Sequence, residues 1–205
     1  MTAVRRAGEL RALVAASPWL MSVLVTVRAV ALPDAWVGAG VLRDLVWCER
    51  YGDGFVPAAV RDVDVAYHEA AEVGRDGDAR ATARLHGLRP DVPWEATNQA
   101  AVHLWYAEFF GADAPEPLAS TAAGIATWPE TATAVAVRLS DGDHVDVCAP
   151  YGLDDLLDGV WRRNPARVTV AESRRRLARQ RGRWPRVRFV ESDGQGPARP
   201  EPSGA

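Results

Sequence analysis

Two acids alternate with two valines at Asp62-Val63-Asp64-Val65, and this run constrains the chain more than any other. Strand side chains point to alternate faces, so the run reads as a strand over 61–68 with Val63 and Val65 on a core. Asp62 and Asp64 then share the opposite face. A strand with one wet face alternates in the same way. Against that reading, aspartate is disfavoured in strands, and neighbouring carboxylates repel unless a cation lies between them. Paired hard oxygen donors suit Mg²⁺, which takes one or two carboxylates plus the phosphates of its substrate.

Upstream, Gly38-Ala39-Gly40 joins a short strand at 35–37 to a helix over 41–51 with an apolar stripe of Leu42, Leu45 and Val46. Alone, such a turn needs no ligand to explain it. Coupled to the acid pair, it reads as a phosphate cradle, because small residues let bare N–H groups and the positive end of the helix approach an anion. Arg43, one turn in, is a candidate phosphate ligand, its fork matching phosphate oxygens, or else the partner of Asp44 or Glu49 in an ion pair.

The remaining pattern predicts a helix over 9–30 broken at Ser17-Pro18, and mostly helix over 69–88. A strand or strand plus turn comes next at 94–102, then irregular chain at 103–111, a linker at 115–117 and a helix over 118–127. Ser140-Asp141-Gly142-Asp143 marks a hairpin between 133–139 and 144–148. Helices are predicted at 154–160 and 172–180, and the Gly- and Pro-rich end from 194 reads as disordered. At 205 residues this makes one domain over 1–190, with a core at 35–148, a helical C-terminal lobe at 149–190 and a tail at 191–205. The fold class is α/β in the broad sense, α+β: a small mixed sheet with flanking helices.

Charge divides the chain. Residues 1–161 hold 12 Arg against 23 Asp and Glu, and residues 162–188 hold 11 Arg against Glu172 alone. The basic segment is either a helix docked on an acidic body or an anion-binding element. Arg162 and Arg163 are its candidates for the rim of a nucleotide pocket. Every basic residue is Arg and the only isoleucine is Ile125, which suggests a GC-rich bacterial genome. Cys48 and Cys148 have no metal-ligand spacing, and no segment reads as a leader or a membrane span, so a cytoplasmic protein is expected.

The order Gly-x-Gly, helix, Asp-x-Asp resembles the core of nucleotidyltransferases related to DNA polymerase beta. The likeness extends through Pro18-Trp19-Leu20-Met21, Arg43-Asp44-Leu45-Val46-Trp47 and Trp94-Glu95-Ala96-Thr97-Asn98-Gln99-Ala100. It continues through Trp128-Pro129-Glu130-Thr131 and Ala149-Pro150-Tyr151-Gly152-Leu153-Asp154-Asp155-Leu156. These blocks, in order from 18 to 185, are similar to a bacterial family described as nucleotidyltransferase-like. The resemblance implies a polymerase-beta-like core with two Mg²⁺ ions held by Asp62, Asp64 and a third carboxylate. It places that acid on the following strand, at Glu95, with Asp146 as the rival. It further implies transfer of a nucleoside monophosphate from a nucleoside triphosphate to an acceptor hydroxyl on RNA, a protein or a small molecule. Ala39 departs from the usual Gly-Gly or Gly-Ser, which leaves open a nucleotide-binding module without turnover. An RNA-binding protein built on the Arg-rich segment is a further alternative. Asn98 and Gln99 are candidates for reading a base or sugar, and Trp128 or Tyr151 for stacking on a base.

Overall fold

The computed structural model describes residues 2–104, 116–165 and 168–190. Helices α1 (Ala3–Ala15) and α2 (Pro18–Val30) meet at 96°. The break falls at Ser17-Pro18, as expected. The Ser17 hydroxyl accepts the Leu20 N–H at 3.3 Å, and Pro18 sits in the first turn, where an N–H has no helical partner anyway. Among the described residues, no single helix is long and apolar enough to cross a membrane.

Next come β1 (Trp36–Gly38), α3 (Gly40–Tyr51), β2 (Val63–Tyr67), α4 (Arg75–Leu88) and β3 (Trp94–Asn98). Helix α5 (Thr121–Ile125) precedes the hairpin β4 (Ala136–Leu139) and β5 (Val145–Cys148). These strands form one mixed sheet in the order β3-β2-β1-β4-β5. Within it only β2 and β3 are parallel, joined by the α4 crossover.

One face of this sheet is the core. Val37, Val63, Val65 and Val137 are at most 1% exposed and pack with Leu20, Leu24, Leu42 and Leu85 of the helices. Each such side chain stabilises the fold by about 1.5–3 kcal/mol. The register is therefore fixed, because a slip of one residue would carry Asp64 into the core. On the other face, paired neighbours place Glu95, Asp64, Gly38, Ala136 and Cys148 in one row across the five strands. Trp36, Ile125 and Ala136, with Trp128 and Cys148 against them, cover this face around β1, β4 and β5. At the β2–β3 end Asp62 and Glu95 remain exposed.

Three expectations need correction. The helix expected from residue 69 begins at Arg75. Buried Asn98 pins the preceding loop: its Oδ1 accepts the Glu69 N–H, and its Nδ2 donates to the carbonyls of Glu69 and Glu72. The helix expected at 154–160 is only α6 (Asp154–Leu157). Gly159 turns with φ +63, and a Cβ there would lie 2.8 Å from the Tyr51 ring. The C-terminal segment is not a helical lobe. Strands β6 (Val160–Arg162) and β7 (Arg188–Val190) form a parallel pair around α7 (Val170–Arg181). Leu156, Trp161, Leu177 and Trp184 belong to the main core. The Trp47 indole of α3 donates to the Leu156 carbonyl at 2.8 Å and meets Trp184 edge-on at 5.4 Å. The expectations for 103–111, 115–117 and 191–205 lie wholly or partly outside the described residues.

Candidate active site

The glycine turn is shaped by packing before any ligand is considered. A Cβ on Gly38 would lie 2.5 Å from the Val135 carbonyl oxygen and 2.7 Å from the Trp128 ring. No other residue fits there. Ala39 adopts φ 54 and ψ −121 and donates its N–H to the Val135 carbonyl at 3.2 Å. A left-handed backbone at a residue with a Cβ stores about 1–3 kcal/mol of strain. The turn aims α3 so that Gly40 opens the helix, with no side chain capping it.

Asp62 and Asp64 flank this turn. Asp62, just before β2 rather than within it, is exposed, and its Oδ1 lies 3.4 Å from where a Cβ on Gly40 would be. Asp64 is partly buried and pairs in register with Gly38. Glu95 stands beside Asp64 on the parallel neighbour β3. Burial, then the charges of Asp62 and Glu95, push the Asp64 carboxyl up to about 7, against the opposing pull of the Gly40 N–H and Arg43.

Asp146 sits on the opposite edge strand, held by Arg138 at 3.1 Å, so it does not meet the Asp pair. Among the described residues, no three His, Cys, Asp or Glu side chains converge as a ready metal cage. The donor chemistry nonetheless fits a hard divalent cation. Asp62, Asp64 and Glu95 offer only carboxylate oxygens, and their mutual repulsion is what a cation would relieve.

Arg43 is buried, and its ion pair with Asp44 is internal rather than a surface contact. Its Nε and Nη2 donate to Asp44 Oδ1 at 2.9 and 2.7 Å, and Arg183 donates to Asp44 Oδ2 at 2.7 Å. Arg162 and Arg163 are committed elsewhere. Arg162 pairs with Asp155 at 2.9 Å, and Arg163 donates to the Val168 carbonyl at 2.8 Å. From the basic segment, Arg176 and Arg183 pair with acids on the elements flanking the turn, Glu130 and Asp44. Arg176 binds Glu130, a carboxylate only 1% exposed that sequence reasoning passed over. A signal was available: Glu130 is the one acid between Glu116 and Asp141.

The other candidates for nucleotide contact all make contacts within the fold. Asn98 is fully buried in its loop contacts, and Gln99 donates to the Thr97 carbonyl and packs on Gly124. Trp128 lies against Gly38, and the Tyr151 hydroxyl donates to the Ala126 carbonyl at 2.8 Å.

Comparison with known proteins gives the family and the fold. A family described as nucleotidyltransferase matches residues 25–189. Among curated proteins none matches the chain. An NMR structure described as revealing a CCA-adding enzyme head domain is similar with a TM-score of 0.73 and 23% identity, over 90% of this chain and 96% of that one. The Thermotoga maritima CCA-adding enzyme complexed with tRNA is similar with a TM-score of 0.51 and 13% identity, over 86% of this chain but only 40% of that one.

Proposed function

We propose, on the premise that this chain belongs to the nucleotidyltransferase family, that it transfers a nucleoside monophosphate from a nucleoside triphosphate to an acceptor hydroxyl. The observation that carries the reading is the adjacency of Gly38, Asp64 and Glu95 along one row of the sheet, with Asp62 beside Gly40. Asp62 and Asp64 would hold Mg²⁺, with Glu95 as the third donor. When bound, Mg²⁺ supplies charge neutralisation on the phosphate oxygens. The N-terminal turn of α3 faces the triphosphate with its partial positive charge. Glu95, exposed beside Asp64, accepts the proton of the acceptor hydroxyl. The acceptor oxygen bonds to the α phosphorus, the bond from that phosphorus to the bridging oxygen breaks, and pyrophosphate leaves.

One assay tests this. Pyrophosphate release from each of the four ribonucleoside triphosphates is measured with Mg²⁺ and pooled acceptors. Release above the level of Asp64→Asn supports transfer. Tight triphosphate binding with no release selects the second reading, a binding module without turnover, which the strained Ala39 in the cradle favours. For the acceptor, exposed Arg174, Arg179, Arg186 and Arg188 favour RNA, whose phosphates they would contact. Binding that does not weaken as salt rises would remove RNA from consideration.

A further inference from the structure

Two arginines that interact with the charge of Asp64 are each held through Nε and Nη2, although they come from distant parts of the chain. Asp44 grips Arg43 from the side, through Nε and Nη2. Glu130 grips Arg176 from the same side, Nε donating to Oε1 at 2.6 Å and Nη2 to Oε2 at 3.1 Å. A guanidinium has five N–H groups in a rigid fork. Side-on binding consumes Nε–H and one hydrogen of Nη2. It leaves the end edge, with both hydrogens of Nη1, free for a second bidentate acceptor. Among the described residues, nothing takes up Nη1 of Arg176.

Glu130 cannot swing away, since it is 1% exposed and its Oε2 also accepts the Thr133 hydroxyl at 3.1 Å. Its turn is locked to the glycine motif: Trp128 lies against Gly38, and the Val135 carbonyl accepts the Ala39 N–H. Helix α7 and the turn that follows it are thereby tied to the site, through Arg176 to this turn and through Arg183 to Asp44 on α3. The charge of Asp64 acts on both Arg43 and Arg176. The two differ in access, for the Arg43 side chain is 8% exposed and that of Arg176 is 31% exposed.

We propose that Arg176 is a triphosphate-binding residue, offering the end edge of its guanidinium to the nucleotide's outer phosphates, and that Glu130 is the positioning residue that aims it. This rests on the nucleotidyl-transfer reading and deepens it. An anionic substrate entering among three carboxylates needs a fixed cation that those carboxylates do not themselves neutralise. Glu130 prepares one by holding the guanidinium from the protein side.

The test uses the full-length chain with Mg²⁺ and two probes, a nonhydrolysable nucleoside triphosphate and the matching monophosphate, both measured by calorimetry. Arg176→Lys keeps a charge beside Glu130 but lacks the second edge. It is expected to weaken triphosphate binding about tenfold and monophosphate binding less than about twofold. Arg176→Gln is expected to shift the ratio further, and Glu130→Gln to shift it in the same direction by a smaller factor. A strut that merely docks α7 would lower the melting temperature without changing this ratio, and that result overturns the proposal. Equal weakening of both probes overturns it as well. If the unaltered protein binds neither probe, the nucleotidyl-transfer reading fails and the clamp fails with it. Unchanged binding in the variants alone sinks only the clamp.

Discussion

Asp64 and Glu95 occupy matched positions on parallel strands, so their carboxylates leave the sheet on the same side. Asp62 precedes them by one pleat, and its charge and that of Glu95 both raise the Asp64 pKa. Like charges held this close store repulsion that a bound cation releases.

Neutralising either aspartate should therefore separate activity from stability. Asp62→Asn and Asp64→Asn are each expected to abolish Mg²⁺-dependent pyrophosphate release. Asp64→Asn is expected to leave the melting temperature unchanged or raised, since it removes a repelled, partly buried charge. A variant that folds and turns over normally would reduce the acid pair to a wet strand face.

The pH dependence has a definite sign. The Asp64 carboxyl titrates at about 7 in the folded chain against 3.8 as its ordinary value, so between those limits the folded state binds the extra proton. Without divalent cations, the stability due to this group is full below the lower value and is lost as pH rises toward 7. Mg²⁺ affinity should run the other way, strengthening as pH rises through about 7. Denaturant titrations at several pH values, with and without Mg²⁺, check both trends. Asp64→Asn should flatten the first.

Ala39→Gly is expected to stabilise the chain by about 1 kcal/mol, contrary to the usual cost of glycine. The residue already sits at φ 54, a conformation glycine adopts freely. Glycine also loosens the unfolded chain, which offsets part of the gain. A lower melting temperature would show that Ala39 bears no strain.

Gly38→Ala is expected to destabilise by about 1–3 kcal/mol, or to displace the turn, because its Cβ would lie 2.5 Å from a backbone oxygen. Thermal melting gives the cost, and triphosphate affinity shows whether the cradle moves.

The valine alternation of β2, the helix break at Ser17-Pro18 and the β4–β5 hairpin were legible because each is a local pattern. So was the grouping of Asp62 and Asp64 near the glycine turn, which stems from strand periodicity and a short connection. Strands β6 and β7 were not legible. Each has three residues, and an acidic, helix-like start at Asp154 hides the strand that begins at Val160. The arginine placements were not legible either. Charge runs do not say which of eleven arginines in 162–188 find partners, and Glu130 and Asp44 are distant in sequence from Arg176 and Arg183. The sequence around Gly38 points to what it offers a phosphate, whereas its first requirement is the van der Waals limit set by Val135 and Trp128.

The order of synthesis gives those distant pairs a temporal meaning. Glu130 leaves the ribosome 46 residues ahead of Arg176, and Asp44 leaves 139 residues ahead of Arg183. Until the segment bearing these arginines follows, Asp44 keeps Arg43 alone while Glu130 lacks its cation, and an unpaired buried charge opposes compaction by several kcal/mol. The carboxylates that would handle triphosphate precede in the chain the helix that completes their surroundings. Burial of Glu130 is thus coupled to the docking of α7.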